Sequence, residues 1–181
     1  MRKIEKILGR GGIGVLPTDT IYGLVGSALN RRTVERIYKV RGRNPKKPFI
    51  ILIGSISDLR RFGIRLAGDY RKLVKRFWPG PVSIIFPCAS RKFQYLHRGV
   101  KSLAFRLPRD RKFRALLNMT GPLVAPSANP EGKPYSKTIR EAQRYFRDRA
   151  DFYVDGGAKK KSPSEVVRIG KDGRVVVVRG G

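Results

Sequence analysis

Residues 13–24 read Ile-Gly-Val-Leu-Pro-Thr-Asp-Thr-Ile-Tyr-Gly-Leu. The apolar, β-branched run Ile13–Pro17 predicts a strand. Beyond it, Thr18 and Thr20 bring two hydroxyls off the strand end on one side of a turn, and Tyr22 sets an amphipathic ring beside them. The same residues make an Asp/Thr turn able to cap the next segment. The stretch alone leaves both readings open.

Working outward, apolar runs at 49–53, 82–87, 103–107, 123–125, 152–154 and 175–178 also read as strands. Helix-like patterns lie between them at 33–40, 67–78, 110–119 and 138–149. In the second, Tyr70, Leu73, Val74 and Phe77 recur at spacings of three and four, and Asp110 can cap the third. Such alternation predicts an α/β domain with a mixed, mostly covered sheet and flanking helices. Pro and Gly punctuate its turns at 79–81, 129–132 and 155–157.

A chain of 181 residues favours one domain, and its 40% hydrophobic content excludes disorder and collagen-like repetition. The longest apolar stretches, such as Phe49–Ile53, fall far short of the roughly 20 residues of a membrane span. A basic N-terminal pair without an apolar region after it argues against a secretory signal, so a cytoplasmic setting is expected. Cys88 is alone, which excludes an internal disulfide and a multi-cysteine zinc site; it is expected to pack as a small buried hydrophobe on a strand. Against 13 acidic side chains stand 41 basic ones, a net charge of +28 spread from Arg2 to Arg179. By itself that balance points to a nucleic-acid partner.

Several chemistries lack their residues. There is no phosphate-binding G-x-x-x-x-G-K-[ST] loop, no G-x-G-x-x-G and no histidine pair. His97 is expected to be an ordinary surface residue in a loop, and no Ser-His-Asp set is evident. Three polar segments instead sit at predicted strand ends, where open α/β sheets bind ligands. These are Leu16–Leu24, Arg41-Gly-Arg43 with Lys46-Lys47, and Ala125-Pro-Ser127-Ala-Asn129-Pro130. Guanidinium and ammonium groups in the second can neutralise a polyphosphate or a carboxylate, or simply stabilise a helix C-terminus. Ser127 and Asn129 offer short hydrogen-bonding groups at alternate positions of one extended turn, and turn formation alone would also account for them.

In order along the chain stand PTDTIYGL (17–24), IYKVRGRNPKKPFIILI (37–53), WPGPVSIIF (78–86), LAFRLP (103–108), APSANPEGKP (125–134) and VDGG (154–157). Together they span nearly the whole chain, which resembles the YrdC-like family of L-threonylcarbamoyladenylate synthases. The resemblance implies one YrdC-like domain over 1–181, a single twisted open mixed sheet with flanking helices, in the family's short form. It implies a nucleotidyltransferase that makes threonylcarbamoyl-AMP and pyrophosphate from L-threonine, bicarbonate and ATP with Mg2+. A partner enzyme would then transfer the threonylcarbamoyl group to tRNA next to the anticodon. Residue by residue, the resemblance assigns Thr20, Tyr22, Arg106 and Ser164 to threonine. To ATP it assigns Arg43, Lys47, Ser102, Ser127, Asn129, Tyr135 and Arg179, with Arg41, Arg43, Ser127 and Asn129 catalytic; no protein ligand set for the metal is recognised.

The chain departs from the family pattern in places. The family's K-x-R is Arg41-Gly-Arg43 here, Leu52 stands where many members carry histidine, and Ser164 is followed by Glu165 where threonine is common. These departures and the charge keep a second expectation open, a non-enzymatic protein that binds double-stranded RNA or tRNA during RNA maturation.

Overall fold

The computed structural model describes residues 2–170 and 172–180. In chain order the elements are α1 (Arg2–Gly9), β1 (Ile13–Pro17), β2 (Tyr22–Ser27), α2 (Arg31–Arg41), β3 (Ile50–Leu52), α3 (Gly68–Phe77), β4 (Val82–Pro87), α4 (Gln94–His97), β5 (Ser102–Arg106), α5 (Arg111–Thr120), β6 (Leu123–Val124), α6 (Ile139–Phe146), β7 (Phe152–Tyr153), β8 (Glu165–Ile169) and β9 (Val175–Arg179). The strands form one mixed sheet in the order β7-β1-β2-β6-β3-β5-β4-β8-β9. The α/β class with a single mixed sheet and flanking helices is therefore the observed one.

Local chemistry sets the helix ends. Asn30, Asp110 and Thr138 accept hydrogen bonds from the backbone N–H of Thr33, Phe113 and Glu141 at the starts of α2, α5 and α6. Gly42, at φ 58°, closes α2 in the left-handed region.

Strand alternation divides the core between the two sheet faces. Ile13, Val15, Leu24, Ile51 and Phe105 pack with Val34, Ile37, Leu73, Val74 and Phe146 from α2, α3 and α6. Leu16, Val25, Leu52 and Leu123 form a smaller cluster with Leu8 of α1 and Phe113, Leu116 and Leu117 of α5. This second face is only partly covered, and its uncovered stretch carries the site described below.

Some expectations change. β2 was hidden because Tyr22-Gly-Leu24 reads as the far side of a turn, whereas it pairs antiparallel with β1 from Pro17↔Tyr22 to Ile13↔Gly26. β8 and α1 were also missed; both are short and interrupted by charge. His97 is not a surface loop residue: it ends α4 and is buried. Its Nδ1 accepts from Gly99 N at 3.1 Å, which leaves Nε2 to donate to Ser90 O at 3.3 Å. Cys88 is buried as expected, one residue past β4, and burial pushes its thiol pKa up.

β9 is an edge strand with a register shift. Val177 lies opposite Val167 but Arg179 lies opposite Val166, so Val178 is the extra residue of a bulge. Val175, Val177 and Val178 are 40, 57 and 53% exposed. No helix among the described residues is long and apolar enough to cross a membrane.

Candidate active site

A cavity of about 130 Å³ lies against the partly covered sheet face, lined by residues from Thr18 to Arg179. It rests on the face rather than beyond the strand ends expected from sequence. β3 turns Ile50 and Leu52 toward it, and these pair in register with Ala104 and Arg106 of β5. The β1–β2 turn folds over this floor and brings Thr18 and Thr20 to it.

The turn is polarised by its own hydrogen bonds. Thr18 Oγ1 donates to Ile21 O at 2.6 Å, so the 3.0 Å contact between the Thr18 and Thr20 hydroxyls has Thr20 donating. Thr20 is left with free lone pairs that suit an ammonium or hydroxyl donor. Arg106 is 3% exposed and paired through Nη1 with Asp19 Oδ1 at 2.5 Å. Asp19 Oδ2 also accepts from Arg109 N at 3.0 Å. Arg106 Nε is buried with no protein partner among the described residues, as are Arg98 Nε and Nη2 and Arg114 Nε away from the cavity.

Arg43 and Ser127 also line the cavity. Arg43 stands over the Phe49 ring at 5.4 Å and near Glu131 at 3.7 Å. Glu131, missed in the sequence, accepts from Asn44 N at 2.6 Å and Lys47 Nζ at 3.0 Å. The Asn44 bond foremost, then Lys47, holds its carboxyl below the usual range. Its only sequence signal was being the sole acid in the 125–134 motif.

Ser164 and Arg179 complete the polar lining. Ser164 Oγ meets Ser83 Oγ at 3.0 Å, and Arg179 Nη2 donates to Ser164 O at 2.6 Å. Burial, then the charges of Arg43 and Arg106, lowers the Arg179 pKa. The cavity thus gathers Arg41, Arg43, Arg106 and Arg179 with no carboxylate in its lining.

Of the residues singled out in the sequence, Thr20, Tyr22, Arg41, Arg43, Arg106, Ser127, Ser164 and Arg179 line this cavity, and Lys47, Ser102, Asn129 and Tyr135 do not. Lys47 points its ammonium at Glu131. Ser102 begins β5, four residues from Arg106 at its end, about 13 Å along the strand. Asn129 is an internal brace of its turn, donating to Pro130 O at 2.9 Å and Lys133 O at 2.7 Å. Two lining residues also act differently from expectation. Tyr22 is fully buried, and its hydroxyl is committed to the 155–157 loop. Arg41 directs Nε to Asn129 O at 2.8 Å and Nη2 to Ser127 Oγ and Asn129 Oδ1 at 3.3 Å, so it anchors the 127–129 turn. Burial, then Arg43, lowers its pKa to about 10, which leaves it a cation at neutral pH.

A family model for Sua5/YciO/YrdC, described as "Telomere recombination", matches residues 6–181. The chain belongs to the Sua5/YciO/YrdC family. Within the family it is 34% identical over 163 residues to the threonylcarbamoyl-AMP synthase of Marinobacter nauticus, covering 88% of this chain and 85% of that protein. It is 32% identical over 148 residues to the Pyrococcus abyssi enzyme of the same name, covering 81% of this chain but 44% of that one. The crystal structure of P. abyssi Sua5 complexed with L-threonine superposes with a TM-score of 0.90 at 29% identity, over 98% of this chain and 53% of that chain. The chain thus spans about half the length of some relatives and most of the length of others.

Proposed function

We propose that this Sua5/YciO/YrdC-family chain is a threonylcarbamoyl-AMP synthase. The observation that carries the reading is the convergence on one cavity of four guanidinium groups, Arg106 among them, with the acceptor hydroxyl of Thr20 and no carboxylate in the lining. An α-amino acid offers the matching carboxylate and ammonium. In the proposed reaction the threonine amine condenses with bicarbonate to give a carbamate and water. A carbamate oxygen then attacks the α-phosphorus of ATP, the Pα–O bond to the β-phosphate breaks, and pyrophosphate leaves.

Two anions must meet, so what the site has to supply is positive charge and alignment rather than a covalent nucleophile. Arg43 and Arg179 are available to the phosphates, Ser127 to the nucleotide, and Arg106, Thr20 and Ser164 to threonine. The cavity lining has no carboxylate, and no three His, Cys, Asp or Glu converge among the described residues, so the donor set does not fit a protein-held Mg2+. Magnesium in this reading arrives on the ATP phosphates. Transfer of the product to tRNA would fall to a partner enzyme, in the cytoplasm, and the basic surface would contact RNA alongside catalysis rather than replace it.

The test is release of pyrophosphate from ATP, bicarbonate and magnesium. Release should require threonine. Turnover without threonine, or none with all substrates present, would overturn the reading; salt-sensitive RNA binding in its absence would favour the RNA-binding alternative.

A further inference from the structure

Between β7 and β8 the chain must pass six intervening strands in the 11 residues 154–164. Measured along the sheet this is about 34 Å, and twelve extended steps reach only about 40 Å. The segment accordingly has no regular structure. It runs as a strap round the end of the β1–β2 hairpin, and it is fastened along its length. Tyr22 OH accepts from Gly156 N at 2.8 Å and donates to Gly157 O at 2.8 Å, with Asp155 Oδ1 at 3.2 Å. Lys159 N donates to Lys137 O at 2.8 Å, and Lys161 Nζ to Asp19 O at 3.2 Å. The strap then delivers Pro163 and Ser164 to the cavity wall.

The glycines at the Tyr22 end have structural reasons. A Cβ on Gly156 would sit 2.5 Å from Pro17 Cβ, and Gly157 has φ +70°. Backbone is therefore pressed against the hairpin where the tyrosine hydroxyl grips it.

We propose that Tyr22 is a positioning residue for the amino-acid end of the cavity, acting through the 155–164 strap rather than by touching substrate. The strap ends on Ser164, and Lys161 holds the carbonyl of Asp19, whose carboxylate orients Arg106. The strap makes no hydrogen bond to Arg43 or Ser127, and its one link to a phosphate-side residue is the bond from Arg179 to Ser164 O, at the opposite end of the strap from Tyr22. Loosening it at Tyr22 therefore disturbs threonine recognition more than it disturbs the nucleotide end. This proposal rests on the reading of the cavity as a threonine and ATP site.

Lys159, Lys160 and Lys161 make the strap directly readable by trypsin. Tyr22→Phe removes the hydroxyl and keeps the buried ring. Mass spectrometry of early digests should show cleavage after residues 159–161 rising about tenfold relative to wild type. KM for threonine should rise by about the same factor, with KM for ATP within twofold. Unchanged strap cleavage overturns the proposal, and so does faster cleavage with threonine and ATP KM both unmoved or both raised. Should Tyr22→Phe fail to fold, inserting two glycines between Lys160 and Lys161 slackens the strap with Tyr22 intact and should give the same pattern. If the wild type makes no pyrophosphate, the functional reading fails. Tryptic cleavage and threonine binding by calorimetry then still decide the role of Tyr22: faster cleavage with weakened binding upholds it, and unchanged binding overturns it.

Discussion

Replacing Asp19 by asparagine tests the ion pair on which the amino-acid end of the site depends. The Asp19 and Arg106 side chains are only 10 and 4% exposed and meet at 2.5 Å. At an effective dielectric constant near 20, unit charges at that distance attract by about 6–7 kcal/mol. Desolvation of both groups offsets much of this, so the pair itself is weak evidence for stability. Stripping one partner is another matter, because it leaves the other charge buried and uncompensated at a cost of about 3–5 kcal/mol. Asparagine keeps a carbonyl oxygen for Arg109 N, so the loss is chiefly electrostatic. For a chain of this length the expected drop in Tm is roughly 6–20 °C. Circular-dichroism melts and urea titrations should give the same ΔΔG with an unchanged denaturant slope. In a double-mutant cycle, Asp19→Asn with Arg106→Met should cost less than the sum of the single changes. A destabilisation below about 1 kcal/mol, or strict additivity, would refute the argument that Asp19 neutralises a buried guanidinium.

Arg41→Lys restores the lysine of the family's K-x-R but cannot serve Asn129 O and the Ser127/Asn129 side chains at once. It should lose about 1.5–3 kcal/mol of stability and about tenfold in kcat/KM for pyrophosphate release, and wild-type values in both assays would contradict the anchoring role. Asp151 accepts a forked bond from Arg36 at 2.6 and 2.8 Å and another from Ile13 N at 2.8 Å. The Arg36 bond foremost holds its carboxyl below the ordinary value. The unfolded chain therefore takes up this proton first, so the stabilisation is complete above the unfolded pKa of about 4 and disappears as pH falls through the lower folded value. Urea midpoints should decline below about pH 4, and Asp151→Asn should flatten that decline.

The helices and most strands were legible because burial enforces period: Tyr70, Leu73, Val74 and Phe77 can share one side only on a helix. Thr20, Arg43, Arg106, Ser127, Ser164 and Arg179 could be gathered through family motifs, and the fold does bring them to one cavity. What sequence could not supply was direction. Tyr22 and Arg41 stand in the motifs beside residues that offer free atoms to the cavity, yet both turn their polar atoms toward protein loops. Asp19, Ser83 and Glu131 escaped notice because an ion pair or hydroxyl contact between residues up to 88 positions apart leaves no local pattern. The buried His97 shows the same limit, since a polar ring satisfied by two backbone groups looks like a loop residue until the turn around it is seen.

The irregularity at Val178 has an evolutionary corollary. Side chains in a strand alternate, so an unbroken β9 would give Val178 the place opposite Val166 and send Arg179 to the other surface. Loss of one residue between Val175 and Arg179 would let the arginine keep its aspect while erasing the irregularity. Gain of one would have to be absorbed by a second irregularity, or the cavity would lose a cation. Descendants of this strand are therefore free to vary their valines, but length and arginine position must drift together: homologues one residue shorter should run without the kink, and homologues one residue longer should carry a second one.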